Sequence, residues 1–454
     1  MLPTLYTADW VFPIASEPIR AGAVLVRDGR IAYVGPADAI ATTPEAVRLV
    51  ALGPAALLPG LVNAHSHLEL TFLRGFLEGL DFRDWLRSLT EIRRTLMSHD
   101  VLRDASRAGL REALRNGITC LADTTDSGAP LTAMREYGVR GVGYLEVFGP
   151  DPAQCAEAIA QLMRRVEEAR VQDTDLVRVG VSPHAPYTVS KALFAATAGL
   201  AQQESLPMAV HVAESRAEML LVRDGTGPFA DRLRARQIAV APQAESPIAL
   251  LDAAGVLAAQ PLLIHVIQAD DRDLQRIADA GATIVHCPIS NAKLGHGIAP
   301  LDRMLAHGIR TGLGTDSVAS NDRMDLLGEA RQATLFCSLR AGTPDALSAH
   351  DALALATRGG AEALGLGARV GTLEVGKDAD LAAFPLDHED AQPLFDPAVA
   401  LVHALAGKVH ATLVTVQGRE LVRHGAVIQR DDGLPQRVND WRDRLEQWRR
   451  ASTA

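Results

Sequence analysis

Residues 58–69, LPGLVNAHSHLE, lead from an apolar run through a Pro-Gly pair to two histidines one residue apart. In a β-strand, residues i and i+2 point to the same side of the chain. His65 and His67 can therefore direct two imidazole rings at one point in space. Neutral imidazoles suit a borderline metal ion such as zinc, although two ligands do not complete a site. Two surface histidines at a strand end are the alternative interpretation, and the rest of the chain decides between them.

The composition of the chain excludes several classes of partner. Of the 454 residues, 48% are hydrophobic and 22% are charged, and the net charge of −10 with no basic cluster argues against binding to nucleic acid or anionic membranes. No apolar stretch reaches the roughly 18 residues that span a bilayer, and the N-terminus lacks the features of a signal peptide. The four cysteines form no CxxC pair, so we expect reduced thiols in a cytoplasmic protein.

Between residues 58 and 370, short apolar runs alternate with Ala/Leu/Arg-rich helical stretches. Together with the opening stretch, eight strands are predicted, the other seven being 117–123, 141–147, 177–182, 208–212, 262–266, 283–286 and 311–316. Strands that alternate with helices indicate parallel βαβ units, and eight of them predict an α/β fold, a (β/α)8 TIM barrel. A doubly wound sheet is the alternative, but it would need an early glycine-rich phosphate loop, which the sequence does not contain.

The two ends of the chain share a different pattern. Residues 1–57 alternate in the manner of strands, with an Asp28-Gly29 turn that is typical of hairpins, and residues 371–433 return to the same pattern. We therefore predict a small β-sandwich domain built from both termini, with the barrel of residues 58–370 inserted between its parts. Residues 434–454 have helical spacing of apolar side chains and predict a C-terminal helix.

In such a barrel, functional groups gather where the strands end at the C-terminal face. The predicted strand ends carry a set of seven polar residues: His65, His67, His184, His211, His265, His286 and Asp316. Three nitrogens and one oxygen from His65, His67, His211 and Asp316 form a ligand set for one divalent metal ion, and such a set leaves room for a water molecule. A metal ion lowers the pKa of its bound water toward neutrality, so the predicted site supplies hydroxide for hydrolysis.

Two further residues have predicted catalytic roles. Glu214 follows His211 by three residues and is expected to move protons between water, a ring nitrogen and the leaving group; a solvated carboxylate at the start of a helix is the alternative. His265 is expected to orient the attacking water, and a fifth metal ligand is its competing role. Asp316 is counted among the catalytic residues because it can also accept a hydrogen bond from that water.

Six motifs carry a resemblance to a known family: PGLVNAHSHLE (59–69), SPHAPYTVS (182–190), HVAE (211–214), IHV (264–266), HCPISNAKLGHGIAPL (286–301) and GTDSVASND (314–322). They resemble the metal-dependent amidohydrolase superfamily, and within it the branch of adenosine-type, S-adenosylhomocysteine and triazine deaminases and chlorohydrolases. This resemblance implies a β-sandwich from both chain ends, one divalent metal ion and the loss of ammonia or chloride from a nitrogen heterocycle. Zinc is the first expectation for the metal and iron the alternative.

Lysine content separates this chain from the binuclear members of the superfamily, in which a carboxylated lysine near the fourth strand bridges two metals. The four lysines are Lys191, Lys293, Lys377 and Lys408, and none precedes the predicted helix after that strand. The resemblance therefore implies a mononuclear site. A second class of zinc deaminase uses HxE with PCxxC, and the absence of any CxxC rules that class out.

The resemblance also assigns the substrate side of the site. His184 matches the family's substrate-binding histidine, and Glu91 lies near the position of a ribose-binding carboxylate. Glu69 and Glu146 resemble features of aminodeoxyfutalosine deaminases, so a 6-aminopurine nucleoside-like small molecule, first aminodeoxyfutalosine, is the expected substrate. S-adenosylhomocysteine, methylthioadenosine, guanine, cytosine or triazine compounds are the alternatives. Residues 223–248 are either a lid or a surface elaboration, and a homodimer is common among relatives.

Overall fold

A computed structural model describes residues 2–40 and 46–453. Met1, residues 41–45 and Ala454, which the predicted domain bounds include, lie outside the described residues. The strands are β1 Thr4–Val11, β2 Ile19–Arg27, β3 Arg30–Pro36, β4 Arg48–Ala51, β5 Ala55–Pro59, β6 Leu61–Ser66, β7 Ile118–Thr125, β8 Arg140–Val147, β9 Val177–Pro183, β10 Ala209–Val212, β11 Leu262–His265, β12 Thr283–His286, β13 Thr311–Leu313, β14 Leu381–Pro385, β15 Leu413–Val416, β16 Arg419–Arg423 and β17 Ala426–Val427.

Helices follow most of the central strands and cover the outside of the molecule. They are α1 Phe82–Leu96, α2 His99–Arg115, α3 Ala129–Tyr137, α4 Cys155–Arg170, α5 Lys191–Glu204, α6 Arg216–Met219, α7 Pro228–Ala235, α8 Pro247–Ala253, α9 Asp271–Ala280, α10 Pro288–Lys293, α11 Leu301–Ala306, α12 Val318–Asn321, α13 Leu326–Ala341, α14 Ala349–Ala354, α15 Gly360–Ala363, α16 Pro397–Val399 and α17 Leu434–Thr453. Short 3-10 segments are Ala37–Ala39, Leu68–Leu73, Pro152–Gln154, Leu257–Ala259 and Glu389–Ala391, and π-helical turns are Leu220–Asp224, Leu355–Gly359 and Ala400–Leu405. Among the described residues, no helix combines the length and the hydrophobicity that crossing a membrane requires.

Strands β6 to β13 form the central barrel. They pair in parallel as two four-stranded sheets, β6-β7-β8-β9 and β10-β11-β12-β13. A parallel bridge between Val181 and Met208 joins β9 to the start of β10, and a bridge between Ser66 and Asp316 joins the chain after β13 back to β6. The ring of eight strands is thereby closed, which confirms the predicted (β/α)8 barrel. Its strands are buried along almost their whole length, as expected for parallel strands covered on both faces.

The terminal strands form one nine-stranded sheet in the order β17-β16-β15-β14-β5-β1-β2-β3, with β4 added beside β1. Both chain ends contribute, because β5 from the N-terminal part pairs antiparallel with β14 from the C-terminal part. Side chains from distant strands, including Val26 and Leu413, share one buried apolar cluster. The sheet therefore folds over its own core, as predicted from the repeated strand pattern at the two ends.

Gly60 lies between the terminal sheet and the barrel, since β5 ends at Pro59 and β6 begins at Leu61. A Cβ atom at Gly60 would lie 2.1 Å from Thr119 Oγ1, so only glycine allows this close approach. The crossing is thus fixed five residues before His65, at the start of the strand that carries it. Helix α17 packs against the segment after β6, where Trp441 Nε1 donates a hydrogen bond to the carbonyl of Phe72 at 2.8 Å.

Candidate metal centre and active site

Histidine and aspartate side chains converge at the C-terminal ends of the barrel strands. His65 Nε2 lies 3.2 Å from Asp316 Oδ1, and His67 Nε2 lies 3.6 Å from the same oxygen. The ligand atoms of His65, His67 and His211 lie within 4.8 Å of one another. His65 lies in β6 and His67 directly after it, while His211 lies in β10 and Asp316 in the loop after β13. Only closure of the barrel brings these elements together. The predicted ligand set is therefore one spatial group.

The chemistry of this group fits a divalent metal ion. Burial lowers the pKa of His65 and of His211, and it lowers that of His67 to about 3, so all three imidazoles are neutral and keep a lone pair for a metal. His65 Nε2 and His211 Nδ1 are buried without an aligned hydrogen-bond partner. Three neutral nitrogens and one carboxylate oxygen match the ligands of catalytic zinc sites, which keep a position open for water.

Two hydroxyl groups hold the Asp316 carboxylate. Ser290 Oγ donates a hydrogen bond to Oδ2 at 2.5 Å, and Ser320 Oγ donates to the same oxygen at 3.1 Å. Oδ1 is left facing His65 and His67. Burial opposes ionisation, but the interaction with the neighbouring His65, and to a lesser extent with His265 and His67, outweighs it and holds the pKa of Asp316 well below its usual range. The aspartate is therefore charged at neutral pH, the form in which a carboxylate can bind a metal ion.

His265 is oriented by the residue next to Ser290. Its Nδ1 lies 2.9 Å from Asn291 Oδ1, and because an amide oxygen only accepts, Nδ1 carries the proton and donates it. Nε2 is then the free nitrogen, and it lies 3.7 Å from Glu214 Oε1. His265 also has a ligand atom within 4.8 Å of those of His65 and Asp316. This geometry is compatible with both roles considered for His265, orienting a water molecule and acting as a fifth ligand.

Glu214 lies beside the group formed by His65, His67, His211 and Asp316, called the metal group below, and is not part of it. His296 Nε2 approaches Oε1 to 3.3 Å, and the Tyr187 hydroxyl donates to Oε2 at 3.4 Å. Burial on its own would raise the pKa of Glu214, but His265 and His296 outweigh burial and lower it. Glu214 is therefore held as a carboxylate, the form that can accept a proton.

The backbone is strained at the strand ends that carry the site. Ala213, His265, Val266 and Asp316 all have positive φ, between 48° and 76°. Non-glycine residues in this region pay a conformational penalty of roughly 1–2 kcal/mol each, and such residues concentrate at functional sites. The sequence showed no glycine at these four positions, so the sharp turns could not be read from it.

A cavity of about 70 Å³ opens beside these groups, lined by His67, His184, His211, Glu214, His265, Asp316, Ser317, Tyr187 and an apolar set from other elements. Its roof is the apolar face of α1, with Phe82, Trp85, Leu86 and Leu89. Ligand pockets for small molecules usually measure about 300–1,000 Å³, so we expect α1 to move outward when a substrate enters. Within residues 223–248, Phe229 stacks on Tyr187 with ring centroids 4.2 Å apart, so Phe229 lies behind a side chain of the cavity wall.

The residues predicted for the substrate side have different surroundings. Glu69 is buried and fully bonded: its carboxylate accepts hydrogen bonds from Arg93, Thr125 and Ser127. Glu146 is equally buried, but its Oε1 has no hydrogen-bond partner and lies 4.0 Å from His184 Nε2.

Burial raises the pKa of Glu146 to about 8. The structure does not bring Glu91 to this group, because its side chain is exposed on α1. Arg93, two residues further along the same helix, is the side chain that reaches inward to Glu69.

Comparison with known proteins identifies the family. Residues 56–421 match the model of the Amidohydrolase family. The chain belongs to the amidohydrolase family. It is 33% identical over 410 residues to the 5-methylthioadenosine/S-adenosylhomocysteine deaminase of Nitratidesulfovibrio vulgaris, covering 90% of this chain and 88% of that protein. This amidohydrolase is accordingly an enzyme, a hydrolytic deaminase that acts on carbon–nitrogen bonds.

Solved structures agree with this assignment. An adenosine deaminase from Xanthomonas campestris with bound zinc matches with a TM-score of 0.88 and 30% identity, covering 98% of this chain and 99% of that one. A Helicobacter pylori aminofutalosine deaminase in complex with methylthio-coformycin matches with a TM-score of 0.80 at 21% identity, covering 92% and 100%, and this likeness shows the fold alone. The amidohydrolase fold predicted from the sequence is confirmed.

Three residues of this amidohydrolase site went unnoticed as individuals in the sequence. Ser290, Asn291 and His296 all lie in the HCPISNAKLGHGIAPL motif, which pointed to the family without indicating what each residue touches. Ser290 and Asn291 are neighbours on the short helix α10 and hydrogen-bond to different residues. Ser290 binds Asp316, and Asn291 binds His265. A histidine within a matched motif was the available signal for His296.

Proposed function

We propose that this amidohydrolase deaminates a 6-aminopurine nucleoside-like compound, and that aminodeoxyfutalosine is the first substrate to test. The proposal rests on one observation above all: the buried Glu214 carboxylate faces the cavity beside the group of His65, His67, His211 and Asp316. The neutral state of the histidines and the charged state of both carboxylates suit hydrolysis at a ring carbon. Zinc is proposed as the single metal ion, with His65, His67, His211 and Asp316 as its ligands.

In the proposed mechanism, water adds to the ring carbon that bears the amino group, and ammonia leaves. A divalent metal ion held by this group would supply Lewis acidity and lower the pKa of the attacking water. Glu214 accepts one proton from the water and delivers it to the adjacent ring nitrogen; it then accepts the second proton from the newly formed hydroxyl group and delivers it to the departing amine, so that a carbonyl and ammonia result. His265, fixed by Asn291, orients the water through Nε2, and the apolar side chains of α1 exclude bulk solvent.

On the substrate side, the hydrogen-bonding groups of His184 and Glu146 support a nucleoside as the substrate. The Thr188 hydroxyl donates to the carbonyl of Ala185, so it accepts the proton of His184 Nδ1 at 2.7 Å. His184 Nε2 is then an acceptor, and it faces the unpartnered Glu146 carboxyl. Ribose hydroxyls both donate and accept hydrogen bonds, so they can bind His184 Nε2 and the Glu146 carboxyl, which its raised pKa keeps protonated at neutral pH. We propose that His184 and Glu146 contact the substrate. We propose that Glu69 acts indirectly, by holding Arg93 and the loop after β7.

The experiment is an activity panel. Zinc-loaded protein is incubated with aminodeoxyfutalosine, adenosine, 5′-methylthioadenosine and S-adenosylhomocysteine, while the loss of adenine absorbance and the release of ammonia are followed. Glu214→Gln should reduce kcat by about 10²–10⁴-fold, the usual contribution of a general acid–base group. Glu157→Gln, an exposed carboxylate on α4, is the matched control. If no compound in the panel is converted, the proposal fails.

Two further variants test the substrate side. Glu146→Ala should raise KM for the preferred nucleoside with a smaller effect on kcat, because the reacting atoms are held by other residues. Glu91→Gln should leave KM unchanged, since its side chain is exposed. A raised KM for Glu91→Gln would instead support the ribose-binding role that the family resemblance implies.

A second candidate is deamination of 5′-methylthioadenosine or S-adenosylhomocysteine, which the name of the Nitratidesulfovibrio vulgaris relative favours. The resemblance implies an arginine near residues 145–146 for an amino-acid carboxylate, and here Leu145 and Glu146 stand there instead. A buried carboxyl disfavours a second carboxylate beside it. We therefore expect kcat/KM for 5′-methylthioadenosine to exceed that for S-adenosylhomocysteine, and the reverse order would contradict this reasoning.

A further inference from the structure

The direction of the Glu214 side chain does not follow from the strand that precedes it. His211 lies in β10 and faces the metal group, and side chains along a strand alternate between its two faces. A strand that continued past Val212 would turn residue 214 away from the side that His211 faces. Glu214 nevertheless lies 3.3 Å from His296 and 3.7 Å from His265 within the cavity. The chain must therefore turn between these two residues.

The turn occurs at Ala213, where φ is +52°. This left-handed conformation is unfavourable for a residue with a Cβ atom, and the surrounding structure must hold it in place. With the turn made, the amides of Ala213 and Glu214 point to the same side. Successive backbone N–H groups in such a conformation form a concave site for an anion.

The carboxylate of Glu218 occupies this concave site. Its Oε1 accepts a hydrogen bond from the Ala213 amide at 2.8 Å, and its Oε2 accepts one from the Glu214 amide at 2.9 Å. The side chain is completely buried, and it does not line the cavity. Both oxygens are used, one for each amide, so this carboxylate binds the backbone on either side of the turn.

The other side of the same turn is held by the strand that carries His265. The carbonyl of Ala213 accepts hydrogen bonds from the amides of Ile267 at 2.8 Å and Gln268 at 2.7 Å. These residues follow His265 and Val266, which themselves have positive φ. The strained segments after β10 and β11 are thus joined at the Ala213 carbonyl. Glu218, which lies on α6, binds the amides of the same turn.

We propose that Glu218 is a positioning residue for Glu214, holding the backbone turn that directs the Glu214 carboxylate into the site. This inference rests on the proton-transfer role given to Glu214 in the proposed function. Glu218 touches neither the metal group nor the cavity, so its loss should change kcat through misplacement of Glu214 and should leave substrate affinity and metal content nearly intact. A displacement of 1 Å at a reacting group lowers the rate by about 10²-fold.

The test compares Glu218→Gln and Glu218→Ala with wild type and with the surface control Glu157→Gln. In Glu218→Gln, the amide oxygen can accept one hydrogen bond, but the NH2 group faces a second backbone donor. We expect kcat to fall by about 10–100-fold, with KM within about threefold of wild type and one zinc retained per chain. Full kcat in both Glu218 variants, with normal zinc content, would overturn the proposal. So would an equal loss through KM alone.

A second readout does not depend on activity. Hydrogen–deuterium exchange followed by mass spectrometry on peptides that span residues 212–219 should show faster exchange of the Ala213 and Glu214 amides in both variants. Peptides from the distant β14 and β15 strands should be unchanged, which separates a local effect from general unfolding. Unchanged exchange at 212–219 would overturn the proposal, even where Glu218→Ala is too unstable for kinetics, because Glu218→Gln is measured in the same way.

The two proposals fail in distinguishable ways. If wild type converts nothing in the panel, the proposed function fails and the exchange experiment still tests whether Glu218 holds the turn. If wild type is active and Glu214→Gln is inactive while both Glu218 variants keep full kcat, the function stands and the positioning role of Glu218 is refuted.

Discussion

A buried arginine at the opposite face of the barrel offers a direct test of what holds the two domains together. Arg140, the first residue of β8, is 1% exposed. Its Nε donates to Asp380 Oδ2 at 2.8 Å, and its Nη2 donates to Asp378 Oδ2 at 2.8 Å. Both aspartates belong to the C-terminal part of the terminal domain, next to β14. Arg140 therefore joins the barrel to the terminal sheet from a buried position.

The perturbation is Arg140→Met, which keeps most of the side-chain volume and removes the charge. Asp378 retains Arg369, whose Nη2 lies 2.7 Å from Oδ2. Asp380 retains only the backbone amide of Gln417 at 2.8 Å among its present partners. Removing one member of a buried ion pair costs about 3–5 kcal/mol, because the remaining charge is buried without compensation. We expect the free energy of unfolding to fall by that amount.

The assay is urea unfolding in excess zinc, followed by far-UV circular dichroism and by tryptophan fluorescence. With a urea m-value of about 3 kcal/mol/M, the midpoint should fall by about 1–1.7 M. Arg140→Met/Asp380→Asn should recover at least half of the loss, because the uncompensated charge is then absent. Since Arg140 lies at the N-terminal face of the barrel, away from the site, kcat/KM at low urea should stay within about twofold of wild type. A midpoint shift below about 0.3 M would refute the argument.

Three other predictions concern pH, metal and thiols. Burial raises the pKa of Glu146 to about 8 from 4.5, so the folded protein holds this proton more tightly and loses stability as pH rises from about 4.5 to 8. Glu146→Gln should therefore raise Tm by a few degrees near pH 8.5 and hardly at all near pH 5, and equal shifts would contradict the cause. Chelation of the metal should abolish hydrolysis and lower Tm, about one equivalent of zinc should restore both, and an unchanged Tm would argue against a folded-state metal site. Ellman's reagent should react quickly with Cys155 alone, since the other three cysteines are buried, and fast reaction of two or more thiols would be inconsistent with the fold.

Local patterns in the sequence indicated which side chains the structure brings together at the strand ends, and the reason is physical. The spacing of His65 and His67 depends only on the two-residue repeat of a strand, and the eight alternating strands and helices indicate where parallel strand ends meet. Convergence of His211 and Asp316 then follows from barrel closure. Net charge and composition also follow from the sequence alone, and they argued against a nucleic-acid partner.

The substrate side was less predictable because it depends on helix phase and loop contacts. Glu91 and Arg93 are two residues apart on α1, so a small difference in rotation places one in solvent and the other against Glu69. A resemblance between sequences does not determine which side of the helix faces the site, so it could not decide between Glu91 and Arg93. The segment 223–248 likewise gave no sign that Phe229 would stack behind Tyr187.

The sequence by itself determined the barrel, the terminal sheet and a set of histidines at strand ends, because these follow from periodicity along the chain. Tertiary structure alone decided the direction of Glu214, the partners of His265 and Asp316, and the apolar roof over the cavity. The physical reason is that Ala213 occupies a left-handed conformation that its own residue type disfavours. Glu218, Ile267 and Gln268 impose that conformation through contacts from outside the strand, and such contacts leave no periodic signal in a sequence.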